Sequence, residues 1–534
     1  MGMASTDVKK LLLVASALAA ALTVLVTVRA TAGAYDWAAD PVLFPRCDPS
    51  RPAVAHQDGQ LLASQPADGP VPCGMLTGWP TVENRIEVTN AGAVIYMPAV
   101  LAGGPLLGGD GHVPGWGRQN GVARSFDKGR SWDSFSVQVW PETYVLDSGV
   151  DSNLYVDHDT GRLLFYMMHS GPVGAHFGFD CAGGGGSTVA FSDDNGTTWS
   201  WGFDPTHGCA ENPTILTGQP VVSNSTAMAY PNVVYLCGDN TSTGVATVGT
   251  PGFSCSKSLD GGRTWVGTGL RGLAVTKGIL GTQGFYGGSS ASYPGCTSPS
   301  AGANVQPLPD GTLVVVVSCS EGTFLAKSAD EGATWSLGPQ LPSGGSIRTD
   351  SLGNLYKLGS SGDQNLLSHS TDGGATWSTE RNMRFPGVTS IGTNFFVQGT
   401  HQAGQVGHVA FAYYGVRPDN NGYSDGFITE TRNALDDNPT FWTGQVNSPD
   451  RPLLYNVPLV AGAPFGASRS NIGITVLDFI GGAISPDRVS VWASFVQDCG
   501  PDMLLSPECM SRWPATNPGD PQDGFAGRLV WHTP

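Results

Sequence analysis

One octapeptide constrains this chain more than any other feature. It has the form Ser-x-Asp-x-Gly-x-Thr/Ser-Trp and occurs five times. The copies run from Ser125 to Trp132, Ser192 to Trp199, Ser258 to Trp265, Ser328 to Trp335 and Ser370 to Trp377. Their third positions are Asp127, Asp194, Asp260, Asp330 and Asp372; their fifth are Gly129, Gly196, Gly262, Gly332 and Gly374. An internal repeat decides the fold class before any single residue does.

Each copy reads as a tight hairpin. An aspartate can turn its carboxylate back onto the N–H groups of its own turn, and a glycine supplies a backbone position with φ > 0. The closing tryptophan then opens the outgoing strand, where its ring can bury about 200 Å² between sheets. The aspartates are therefore expected to be turn clamps rather than catalytic groups.

A second pattern lies between the boxes: apolar strands broken by turns rich in Asp, Asn and Gly. Examples are Tyr155 to Tyr166 around Thr160-Gly161, Val305 to Val317 around Asp310-Gly311, and Ile347 to Lys357 around Gly353-Asn354. Such runs mark hairpins. The box tryptophans lie 67, 66, 70 and 42 residues apart, which suits one four-stranded blade per box with insertions in the longer intervals. The expected fold is all-β, a propeller of four-stranded blades round a channel. Beyond Trp377 the boxes stop, but strands continue near 406–414, 489–496 and 529–531. These suit one or two degenerate blades, so six blades are expected, with seven as the alternative. One terminus is expected to lend a strand to the other's blade, which would hide sheet edges.

The octapeptide resembles the Asp box, or BNR repeat, of sialidases and related propellers. That resemblance implies boxes on the turn between the third and fourth strands of a blade, away from the active site. It also implies an arginine cluster for a substrate carboxylate, a Tyr–Glu nucleophile pair and an aspartate acid/base. Planar guanidinium groups grip carboxylates through paired hydrogen bonds, and glycosidases with a tyrosine nucleophile depart from the two-carboxylate scheme. The family's first arginine stands in an Arg-Ile-Pro motif. The match here is Arg85-Ile86-Glu87, with glutamate in the proline position. Asp110 occupies the place of the acid/base, between that arginine and the first box. Tyr423-Ser424 resembles the late Tyr-Ser motif, with Tyr413 or Tyr414 as alternatives and Glu430 as the partner. Arg348, Arg469 and Arg417 are further candidates for the arginine cluster.

The chain of 534 residues has a net charge of −17 with only 27 Lys plus Arg. Phosphate binding needs a basic face, so this charge argues against nucleic acid as a ligand. Lys9 and Lys10 precede an apolar run from Leu11 to Val28, followed by Ala30-Thr31-Ala32. This is the layout of a secretory signal, and its length would also serve an uncleaved membrane anchor. The expected organisation is a signal or anchor over 1–32, an extended arm over 33–80 and the propeller over 81–534. Either leader exports the body. Ten cysteines agree with an oxidising compartment, and neighbours in sequence are expected to pair: 47–73, 181–209, 237–255, 296–319 and 499–509.

No cofactor or metal is expected. The cysteines show no zinc spacing, and Asp157-His158-Asp159 suits a hairpin turn better than a calcium loop, whose twelfth position would be Met168. Two functions remain open. One is a secreted glycoside hydrolase acting on sialic acid or a related acidic sugar. The other is a non-catalytic module that binds glycans or proteins through loops such as those from Gly278 to Gly295 and from Gly415 to Tyr423; with either function a monomer is expected. Sequons at Asn195, Asn224 and Asn240 matter only in a glycosylating host.

Overall fold

The computed structural model describes residues 34–35, 46–77, 83–99, 121–136, 138–139, 144–145, 153–169, 186–204, 210–223, 228–240, 252–267, 292–293, 296–297, 300–301, 305–361, 364–398, 406–417, 423–454, 480–498 and 522–531. Among these, seven antiparallel sheets of at least four strands form a ring. Their innermost strands in order are Glu83–Val88, Asn153–Asp157, Ala210–Gly218, Gln306–Pro307, Ser346–Thr349, Thr389–Gln398 and Gly482–Ile484. Each touches the next, and the seventh touches the first, so the ring is closed. The fold is a seven-bladed propeller rather than the six-bladed one expected.

The reason lies in the last two blades. Blade 6 starts from Thr389–Gln398 and runs through Val409–Val416 and Ser424–Thr431 to Phe441–Gln445. It is then extended by Val54–Gln57 and Gln60–Leu61. Blade 7 has only three strands from the C-terminal part, Gly482–Ile484, Ser490–Asp498 and Gln522–Val530. Its fourth is Val71–Leu76, with Arg46–Cys47 outside it. The stretch 46–77, expected as an arm preceding the repeats, thus supplies strands to both. Pairing from Phe525↔Leu76 to Val530↔Val71 ties the two ends of the chain together. This covers an edge that would otherwise present unpaired backbone groups. The leader over 1–33 lies outside the described residues. No helix among the described residues is long and apolar enough to cross a membrane.

The boxes do what their composition dictates. In box 3, Asp260 Oδ1 accepts from Ser258 Oγ at 2.8 Å, Arg263 N at 3.0 Å and Thr264 N at 2.8 Å, while Oδ2 accepts from Thr264 Oγ1 at 2.6 Å. Gly262 N donates to Ser258 Oγ at 2.8 Å and Trp265 Nε1 to Gly262 O at 3.0 Å. Burial opposes ionisation of Asp260, but these donors outweigh it and hold the carboxyl below its usual range. Two successive residues adopt positive φ: Gly262 at 101°, as expected, and Gly261 before it at 73°. That preceding position is filled by Lys128, Asn195, Glu331 and Gly373 in the other boxes, all with positive φ. Asp260→Ala removes four accepted hydrogen bonds and is expected to lower stability by about 2 kcal/mol, read from the shift in denaturant midpoint.

A sixth, degenerate box closes blade 6. Thr431 Oγ1 donates to Asn433 Oδ1 at 2.9 Å, and that oxygen also accepts from Thr440 N at 3.0 Å. Asparagine replaces aspartate and no glycine follows, so the octapeptide pattern cannot detect it.

Three of the expected disulfides lie among the described residues: Cys47–Cys73, Cys237–Cys255 and Cys296–Cys319. They agree with an oxidising environment. The pairs 181–209 and 499–509 fall outside the described residues.

Candidate functional site

In blades 1 to 6 the box turn and the first hairpin turn leave the sheet at one end. The connections from second to third strand, and from blade to blade, leave at the other. The described strands before residues 100–120 and 268–291, Val94–Ala99 and Val266–Gly267, both run out at this second end. Chemistry on a propeller therefore has its natural place at this second end and in the channel below it.

The innermost strands show which residues turn toward the axis. Asn84, Ile86 and Val88 are buried between blades, whereas Arg85 and Glu87 alternate with them and are only half-buried. Likewise Leu154 and Val156 are buried while Asn153 and Tyr155 are half-buried; Ile347 and Thr349 are buried while Ser346 and Arg348 are not. A strand's period of two produces this alternation. Hydrogen bonds Gly92 N to Thr89 O, Gly161 N to Asp157 O and Gly353 N to Asp350 O mark the equivalent first turns of blades 1, 2 and 5. Counted two residues back from each, Glu87, Tyr155 and Arg348 share one level of the channel, and Arg85 stands one pleat above.

Electrostatics ties these groups together. Burial pushes the Arg348 guanidinium down to about 10, and the charge of Arg85 pushes in the same direction. Blades 1 and 5 are not neighbours in the ring, so the space in which these two cations sense each other is the channel. Burial pushes the Glu87 carboxyl up to about 8, against the pull of the Val88 N–H and Arg85. Burial also raises Tyr155, with Asp157 and, more weakly, Glu87 adding to it. Tyr155 Oη lies 3.0 Å from Thr217 Oγ1 on blade 3.

Two of the expected substrate-binding arginines, Arg85 and Arg348, thus stand at channel-facing positions, and the charge of Arg85 is felt at Arg348. The third, Arg469, and the expected acid/base Asp110 lie outside the described residues, as does most of the loop from Gly278 to Gly295. Tyr423 is half-buried at the channel-mouth end of Ser424–Thr431. Nearby, Arg417 Nε donates to the fully buried Asp425 at 2.9 Å, and Asn447 Nδ2 holds the other oxygen at 2.7 Å. Glu430, expected as partner of Tyr423, sits seven residues along the same strand, about 23 Å away at strand rise. It is fully buried at the box end, beside His408 and Trp531. The structure does not bring this pair together. Tyr413 and Tyr414 are buried core residues. Among the described residues no group of three His, Cys, Asp or Glu is placed to hold a metal ion.

No family model and no curated protein sequence matches the chain. Solved structures do. The NanB sialidase from Streptococcus pneumoniae is 13% identical over 72% of this chain and 70% of that one, with a TM-score of 0.35. An intramolecular trans-sialidase from Ruminococcus gnavus is 16% identical over 77% and 89%, with a TM-score of 0.34. YCF48 bound to D1 peptide is 10% identical over 86% and 97%, with a TM-score of 0.36. Sialidases stand among the structural neighbours of this propeller. The blade count itself rests on the chain's own strand order.

Glu87 and Tyr155 are the channel residues that motif matching passes over. A usable signal existed: both stand two residues ahead of a first-hairpin turn, in the register of Arg348.

Proposed function

We propose that this chain is an exported propeller that binds a carboxylate-bearing sugar at its channel, with Arg85 and Arg348 as the anion grip. The observation that carries this reading is that two arginines of non-adjacent blades occupy channel-facing positions one pleat apart, where the charge of Arg85 bears on Arg348. Two like charges held together in a poorly solvated channel repel, and an anion between them turns that cost into attraction. The Arg417–Asp425 pair beside Tyr423 suits a further contact at the same end of the ring, with Arg469 proposed to join it.

Hydrolysis of the same ligand is the second reading. It is favoured by Asp boxes of the sialidase kind and by Tyr423 at the channel-mouth end, with Asp110 as the proposed acid/base. The distance between Tyr423 and Glu430 leaves that reading without its nucleophile pair among the described residues, so binding is placed first.

The test is a sialoglycan array together with release of a fluorogenic aglycone from an α-sialoside. Arg85→Ala and Arg348→Ala are each expected to weaken binding at least about tenfold, the value of a lost charge-assisted hydrogen bond. Binding without turnover supports the binding module, and turnover lost in both variants supports the hydrolase. Binding unchanged in both variants would remove the channel arginines from the site.

A further inference from the structure

Glu87 occupies the proline position of the resembled motif, so the anion grip just described does not call for it. Its carboxyl nevertheless stands one pleat below Arg85 and level with Arg348 and Tyr155 (above). The groups that face it can be named element by element. Its own strand carries Glu83 and Arg85, and the charge of Arg85 acts on Glu87; Asn153–Asp157 contributes Tyr155, which feels both Glu87 and Asp157, and Arg348, across the channel, feels Arg85. Gly482–Ile484 carries no ionisable residue, Val94–Ala99 carries only Tyr96, and Ser490–Asp498 carries only Asp498 at its far end.

Burial raises this carboxyl above its usual range, and in its protonated form it offers an O–H donor. A ligand carboxylate drawn to Arg85 and Arg348 lies beside it. If Glu87 is ionised, the ligand meets a like charge; if Glu87 is protonated, the ligand meets a hydrogen-bond donor.

We propose that the channel takes up its carboxylate ligand together with one proton held on Glu87, which donates a hydrogen bond to the ligand while the arginines hold its charge. This inference rests on the acidic-ligand reading above and adds to it a specificity residue and a direction of pH dependence. Ligand and proton binding are reciprocal: each tightens the other. Affinity is therefore constant below the pH at which free Glu87 ionises and falls above it.

The experiment is calorimetric titration of the full-length protein with free sialic acid, whose carboxylate is ionised throughout, at about pH 6 and about pH 9. Wild type is expected to bind about tenfold more weakly at the higher pH, one pH unit above the carboxyl's ionisation. Near pH 8, titrations in buffers of different ionisation enthalpy are expected to show proton uptake. Glu87→Gln keeps the size and an N–H donor, and its affinity is expected to stay flat between the two pH values with no proton uptake. Tyr155, raised by burial, and Arg348, near 10, keep their protons over this range, so the Gln variant isolates Glu87. A flat wild-type profile, or a Gln variant that keeps the slope, overturns the proton linkage while leaving the ligand site intact. Absence of binding in wild type at both pH values overturns the ligand site and this inference with it.

Discussion

Glu331→Ala is expected to lower the unfolding free energy by about 3 kcal/mol, although Glu331 lies in a surface turn far from the channel. It fills the fourth position of box 4, in left-handed backbone at φ 58°, and its residue is fully buried. One carboxylate oxygen accepts from three successive backbone amides of blade 3, Val221 N at 2.8 Å, Val222 N at 3.0 Å and Ser223 N at 2.9 Å. The other accepts from Ser223 Oγ at 2.7 Å and Lys257 Nζ at 2.6 Å. Removing the acceptor strands three amides and a cation. Because Val222 is 60% exposed, water can reach them, which keeps the cost at the low end for a broken buried pair. The pH dependence has a definite sign. Burial opposes ionisation, but Lys257, Ser223 and the amides outweigh it and hold Glu331 down to about 2, below its unfolded value of 4.5. A depressed carboxyl stabilises the fold above its unfolded pKa and loses that contribution as pH falls through the folded one. The gap between wild type and Glu331→Ala should therefore be full above about pH 4.5 and close toward pH 2, as followed by denaturant unfolding at successive pH values. A gap that persists unchanged across this window would mean that the carboxylate charge is not what joins the blades.

The same interaction recurs in altered chemistry at neighbouring interfaces. Arg124 Nη1 donates to Asn195 O at 3.0 Å, Arg162 Nη1 to Gly261 O at 2.8 Å and Lys327 Nζ to Gly373 O at 2.6 Å. In each case a cation of one blade grips the fourth box position of the next. The left-handed conformation at that position directs its carbonyl outward toward the preceding blade. Variation there between Asn, Gly and Glu hides the rule in sequence, because a backbone carbonyl serves the grip as well as a side chain does.

This contrast explains what could be read from sequence. The boxes are legible because the hydrogen bonds of their aspartate clamps close within eight residues, so residue type and turn are bound together. The hairpins between them are legible for the same reason. The seventh blade is not, because its fourth strand, Val71–Leu76, comes from the other end of the chain and carries no motif. In the channel, Arg85 is singled out in sequence by the Ile86 that follows it, as in the resembled motif. Arg348 is only one arginine among several in sequence, since Arg85 stands on a blade three places round the ring. Glu87 looked like a defect in a motif, when in the ring it is a group in its own right.

Glu430→Ala is expected to cost about 3–5 kcal/mol in stability, while Glu430→Gln should leave acidic-sugar binding unchanged. Glu430 stands one place ahead of the degenerate box of blade 6, the position that holds Arg124, Lys257 and Lys327 ahead of boxes 1, 3 and 4. His369, ahead of box 5, reaches the backbone of Ala434 at the fourth position of that degenerate box. By this register Glu430 belongs to the interface between blades 6 and 7. Its oxygens meet His408 Nε2 at 2.8 Å and the indole N–H of Trp531, with Arg432 Nε at 3.9 Å. Trp531 follows the last strand of blade 7, packs edge-on against Trp442 at 5.3 Å and lies under Arg432 at 4.4 Å. The carboxylate therefore fixes the end of the chain to the blade before it. Trp531→Phe keeps the ring packing and removes only the donor, for an expected loss of about 1–2 kcal/mol. Combined with Glu430→Ala it should add less than its own cost, because the partner is already gone. A catalytic Glu430 would give the opposite pattern: turnover lost in the Gln variant, a near-normal unfolding midpoint in the Ala variant and no coupling to Trp531. Unfolding midpoints for the three variants and the double mutant, read beside sialoside turnover, separate the two roles.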